Sequence, residues 1–111
     1  METTPAGIES ELREVIKQIR MGVQALNEAE TKAVKLNDEA DRIEWRSYIT
    51  NQGTIKDREA LAKLEAADAR LAADIARIEV NRVKAKIRAL ETESMAISVM
   101  AKQVAIEWQK G

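Results

Sequence analysis

Apolar or small residues recur along the first half of the chain at Ile8, Leu12, Val15, Ile19, Leu26, Ala29, Ala33, Leu36, Ala40 and Ile43, with Gly22 and Val23 sharing one turn. The steps alternate between three and four, which winds one stripe along an α-helix and is the spacing of a coiled-coil seam. Thr4-Pro5 supplies a start, because the threonine hydroxyl can accept from an orphan amide and proline lacks only a donor that the first helical position leaves unused. The one strong interior break is Asn51-Gln52-Gly53-Thr54, where glycine can end one helix and threonine can cap the next. Asp57 stands three residues beyond Thr54, at the positive end of the second helix dipole. These signals predict an all-α protein: a first helix over about 6–49, a turn over 50–54 and a second helix over about 55–110, folded back as a long two-helix hairpin.

The second helix carries two stripes. Leu61, Leu64, Leu71, Ile75 and Ile78 form one, and Ala62, Ala66, Ala69, Ala73, Ala76, Val80, Val83, Ile87 and Leu90 form the other. A single partner helix needs one narrow seam, so two stripes point to more than one neighbour, unless the alanines serve helix propensity alone. Folding back at Gly53 sets Ile49 beside Ile55 and the start of the first helix beside the region of Ile97. Residues beyond that point are expected to overhang. Met95, Ile97, Val99, Met100, Val104, Ile106 and Trp108 make this tail the most apolar part of the chain, and leaving it in water would expose an unusually large patch. The pattern therefore predicts a homo-oligomer assembled through these seven residues, or else a first helix that bends at Gly22 to cover them.

Composition narrows the chemistry. The chain has 111 residues, enough for a single helical domain over 1–111, and it has no cysteine and no histidine. The usual zinc and iron–sulfur sets, thiol nucleophiles and Ser-His-Asp triads cannot be built, so no catalytic residue, metal ligand, cofactor or small-molecule substrate is expected. Glu9, Glu11 and Glu14, and Asp38, Glu39, Asp41 and Glu44, are dense, but no calcium loop or Glu-x-x-His pair accompanies them; a magnesium-dependent hydrolase or nuclease is the remote enzymatic reading. The N-terminus lacks the basic and apolar regions of a signal peptide, and the run from Met95 to Ala101 is far shorter than the roughly 20 residues a membrane helix needs. A cytoplasmic protein without a membrane partner is the expectation.

Formal net charge is −1, which argues against coating duplex DNA by bulk charge. Location matters more than the total. Residues 70–88 carry Arg70, Arg77, Arg82, Lys84, Lys86 and Arg88 against only Asp74 and Glu79. Around the turn stand Lys35, Arg42, Trp45, Arg46, Tyr48, Lys56, Arg58 and Lys63. Trp45 and Tyr48 are three apart and so are surface neighbours on a helix. Rings flanked by guanidinium groups suit single-stranded nucleic acid, whose bases stack while its phosphates follow the cations. The alternative is that the rings close the hairpin core and the arginines pair with Asp41, Glu44, Asp57 and Glu59.

The segment Ala40-Asp-Arg-Ile-Glu-Trp-Arg-Ser-Tyr48, a glycine-bearing turn, Thr54-Ile-Lys-Asp-Arg58 and the long helix that follows together resemble the UvsY-type phage recombination mediators, over roughly Lys35 to the C-terminus. The resemblance implies an oligomeric helical protein that binds single-stranded DNA and helps a recombinase or annealing protein replace single-strand-binding protein, in a phage-infected or lysogenic bacterial host. It places Arg42 on a DNA-contacting arginine and Trp45 on an aromatic of the basic segment. The chain departs from the family pattern at Ala40, where a second basic residue is expected, and its turn is shorter. The competing expectation is a helical protein–protein interaction factor, such as a phage inhibitor, adaptor or virion-assembly protein, that does not bind nucleic acid.

Overall fold

The computed structural model describes residues 4–110 and contains two helices, α1 (Pro5–Thr50) and α2 (Ile55–Lys110), with no strand among the described residues. The all-α expectation holds, and the helix ends fall within a residue of those predicted. Residues 1–3 and 111 of the expected domain lie outside the described residues. The two threonine caps form as their positions require: the Gly7 amide donates to Thr4 Oγ1 at 3.1 Å and the Asp57 amide to Thr54 Oγ1 at 3.2 Å. Gly53 has φ +126°, a backbone that side chains rarely adopt, so glycine is what permits the tight reversal.

Contacts group the chain into two compact units, Leu26–Arg82 and Met1–Ala25 with Val83–Gly111. The first, the turn unit, is a helical hairpin whose buried side chains are Ala40, Ala62, Ala66, Ala73, Ala76 and Val80, together with Ser47. The alanines of α2 are therefore a packing seam rather than propensity alone. Short side chains let two backbones approach closely, and on α2 that approach keeps leucine and isoleucine out of the seam, while Leu36 and Ile43 of α1 are half-buried. Leu64, Leu71, Ile75 and Ile78 accordingly face outward, as does Val34 of α1.

The other, the terminal unit, has a larger-residue core. Ile8 and Val15 pack with Ile97 and Val104, and Leu12, Ile19, Leu90, Met100 and Ala101 close around them. This corrects the expected overhang: Ile97 and Val104 are buried inside the chain and Met100 is half-buried, while Met95, Val99, Ile106 and Trp108 are exposed. The expected pairing about Gly53 sets Ile87 beside residue 17, yet Ile87 meets Gly22. Helical side chains lean toward their own N-terminus, so in an antiparallel pair a residue of α2 meets α1 partners nearer the turn than backbone counting suggests. The start of α1 thereby reaches past Ile97 to Val104.

Gly22 fills the seam position that Val23 shared with it in the sequence pattern, since Val23 is exposed. A Cβ added at Gly22 would lie 2.9 Å from Ile87 Cγ1. Gly22→Ala gains about 1 kcal/mol of helix propensity against about 1–3 kcal/mol of overpacking, so a small net loss is expected in urea unfolding followed by circular dichroism. Ile97→Asp buries a carboxylate in the terminal core and is expected to cost about 3–5 kcal/mol in the same measurement. If Ile97 served only contacts between copies, that loss would depend on protein concentration; the intramolecular core makes it independent of concentration.

Candidate nucleic-acid interface

The last turn of α1 leaves backbone carbonyls without helical partners, and side chains reach three carbonyls at this end of the helix. Thr50 Oγ1 donates to the Arg46 carbonyl at 2.8 Å. Asn51 Nδ2 donates to the Ser47 carbonyl at 2.8 Å and to Ser47 Oγ at 2.9 Å, which satisfies the one buried polar residue of the seam. Arg58 reaches back from α2 to donate through Nε and Nη2 to the Tyr48 carbonyl, at 3.0 and 2.8 Å. Its guanidinium carbon also stands 4.3 Å from the Tyr48 ring centroid. A cation is favoured there twice, by the ring face and by the negative end of the α1 dipole.

Tyr48 and Arg58 are thus committed to closing the turn. Trp45 is not. It is 64% exposed and meets Tyr48 edge to face, with centroids 6.0 Å apart and planes at 88°. Perpendicular rings do not make a two-base platform, so the expected pair reduces to one available ring face. Trp45 stands between two shallow hollows. One, of 460 Å³, is lined by Asp38, Asp41, Arg42, Arg46, Ile49 and Thr50 as well as the indole. The other, of 560 Å³, is lined by Asp41, Glu44, Tyr48, Glu59, Ala62 and Lys63 in addition to Trp45.

Carboxylates around a DNA-binding ring would repel phosphate, but most of these are engaged. Arg42 Nε pairs with Asp38 at 3.0 Å along the same helix. Arg70 Nη2 bridges Asp41 at 2.8 Å and Glu44 at 2.9 Å, while its Nη1 donates to Asn37 Oδ1 at 3.2 Å. The hydrogen bond to Asp41 chiefly holds the Arg70 guanidinium above its ordinary range; Glu44 and the attraction of both carboxylates add to this, and desolvation opposes it. Asp41 and Glu44 therefore pair across the hairpin with Arg70, not with the arginines of their own segment. Among the described residues, Arg46, Lys56 and Lys63 are exposed and have no ion pair. Lys35 lines a separate hollow with Asn27, Glu28, Thr31, Lys32 and Leu36, so the fold does not bring it to Trp45.

Of the basic belt at 70–88, Arg77 pairs with Asp74 at 2.8 Å and Arg82 with Glu79 at 3.4 Å, in addition to the Arg70 bridge. Glu9 pairs with Arg13 at 2.6 Å, and Glu14 accepts from Gln18 at 3.0 Å. No group of acidic residues among the described residues is gathered closely enough to hold a metal ion. Comparison of the chain with protein-family models, with curated proteins and with solved structures finds no match.

Arg58 supplies two charge-assisted hydrogen bonds and a ring contact that Lys cannot reproduce together. Arg58→Ala is expected to destabilise the protein by about 2 kcal/mol, and Arg58→Lys to recover less than half of that, by thermal and urea unfolding.

Proposed function

We propose that the protein is a non-enzymatic, self-associating helical protein that binds single-stranded DNA and acts as a recombination mediator, assisting a recombinase or annealing protein in displacing single-strand-binding protein. One observation carries the DNA contact: an exposed Trp45 face with Arg46 and Lys63 beside it, while Asp38, Asp41 and Glu44 are held by arginines. The indole accepts a base and the two cations take the flanking phosphates. Tyr48 and Arg58 hold the turn, and Arg42 is a weaker contributor because Asp38 competes for it. The resemblance to UvsY-type mediators supplies the step beyond binding and the setting, the cytoplasm of a phage-bearing bacterium. A set of copies would repeat this small site and raise its avidity without raising net charge.

A second reading, a helical interaction factor that does not bind nucleic acid, is favoured by the long uncovered apolar stripe of α2. No helix among the described residues is long and apolar enough to cross a membrane.

Fluorescence anisotropy with a labelled oligothymidine at low salt separates the readings. Binding that weakens with salt is expected, with Trp45→Ala costing about 1–3 kcal/mol and so roughly 5- to 150-fold in affinity. Arg46→Ala is expected to lower the salt slope by about 0.7 and to weaken binding more than Arg42→Ala does. No binding at low salt would overturn the mediator reading and leave the interaction factor.

A further inference from the structure

Within the turn unit, the outward face of α2 is built like the inward one. Leu61, Leu64, Asp68, Leu71, Ile75 and Ile78 step by three and four residues, as a coiled-coil seam does, yet among the described residues no segment covers them. Leu64 is 72% exposed, Leu71 59%, Ile75 58% and Ile78 55%. Scattered apolar residues on a surface are ordinary, whereas a seam-spaced row of leucine and isoleucine is a surface that awaits a helix.

We propose that this row is covered by the same row of a second copy, running antiparallel about a two-fold axis between Asp68 and Leu71. The pattern is self-complementary in that arrangement. Leu61 of one copy faces Ile78 of the other, Leu64 faces Ile75, Asp68 faces Leu71 on either side of the axis, and just beyond the apolar row Asp57 faces Arg82. The opposite charges at each end join the two copies, and both Asp57 and Arg82 are exposed. Arg82 is held in its own helix only by a 3.4 Å bridge to Glu79, which an intermolecular partner can share. A parallel pair would set every residue against itself, bringing Asp68 onto Asp68 and Arg82 onto Arg82, and like charges in a seam select against it.

Register is fixed by the same residues. A shift of one heptad in one direction sets Leu64 against Arg82 and Ile78 against Asp68; in the other it sets Ile75 against Asp57 and Leu64 against Asp68. The proposed register also sets Asp68 against Leu71 of the other copy beside the axis, but of the three it alone matches four apolar pairs and two ion pairs in one isologous contact. This inference rests on the self-association named above but not on DNA binding, and it moves the contact between copies from the C-terminal residues to the turn unit.

The chain's lack of cysteine makes the test clean. Leu64→Cys and Ile75→Cys chains, mixed and oxidised at micromolar concentration, are expected to form a disulfide-linked dimer, while each alone stays reduced. In the antiparallel dimer two copies of residue 64 lie roughly 16 Å apart along the axis at about 1.5 Å per residue, beyond the roughly 7 Å that a disulfide spans. Cross-linking by Leu64→Cys alone would overturn the antiparallel arrangement, and no cross-link in the mixture would overturn the contact. Sedimentation of the unmodified chain is expected to show dimer or larger species, and Ile75→Glu to weaken association at least about tenfold with helicity unchanged. A monomer at about 100 μM would overturn the proposal. Neither measurement contains nucleic acid, so failure here leaves the anisotropy result standing, and the converse also holds.

Discussion

Two α-helices approach only as closely as the side chains between them allow, and between the arms of the turn unit those side chains are mostly alanine. Interaxial distance at such a contact falls toward the short end of the usual range, about 8 Å. Most of the other features of this unit follow from that closeness. Within it the leucines and isoleucines of α2 stand outside the seam; the one buried polar residue, Ser47, is small and is satisfied by Asn51 at once. Alanine also buries little apolar surface per residue, so the hairpin relies more heavily than most helix pairs on what bridges its edges.

Those bridges are arginines. Arg58 fastens the first residues of α2 to the last carbonyls of α1, and Arg70 ties α2 to a carboxylate pair and an amide on α1 about two turns further from the reversal. Each is partly exposed, so each contributes modestly and with salt dependence, but together they set the rotation of one helix against the other. They also decide what is left over. Arg70 and Arg42 occupy Asp41, Glu44 and Asp38 near Trp45, and Arg58 occupies Tyr48, leaving one indole with two uncommitted cations, Arg46 and Lys63, beside it. The candidate interface is the residue of this accounting, and its small size is why multiplication by self-association matters to the proposed activity.

Helix identity and ends were legible from Thr4-Pro5, from Asn51 to Thr54 and from the alternating three-and-four spacing, because caps and breakers act locally. The inward seam of α1 was legible too, down to the ambiguity between Gly22 and Val23, which the approach of Ile87 resolves. Pairing across the hairpin was not. Counting from the turn treats side chains as though they pointed straight out, whereas each leans toward its own N-terminus and so offsets the pairing in the direction that buries Ile97 and Val104. The aromatic-basic cluster was legible as a set of residues but not as a set of commitments. Arg42 and Arg58 look alike in sequence, and only the cross-helix geometry gives one to Asp38 and the other to Tyr48. Arg70 was visible as part of a basic belt, and Asp41 and Glu44 as an acidic pair three apart; nothing local says that they meet.

The triple capping at the end of α1 bears on the order in which contacts form. Tyr48 and Arg58 are separated by ten residues, whereas Ile8 and Val104 lie near opposite ends of the chain. Closing the longer loop directly from the unfolded chain costs about 2 kcal/mol more in entropy than closing the shorter one. A turn with three carbonyls already held by side chains offers a nucleus from which the alanine seam zips outward, so the distant termini meet at little further entropic cost. Contact order measured along the chain is then a poor guide to this protein's folding rate, because the long-range contacts are approached stepwise from a local one.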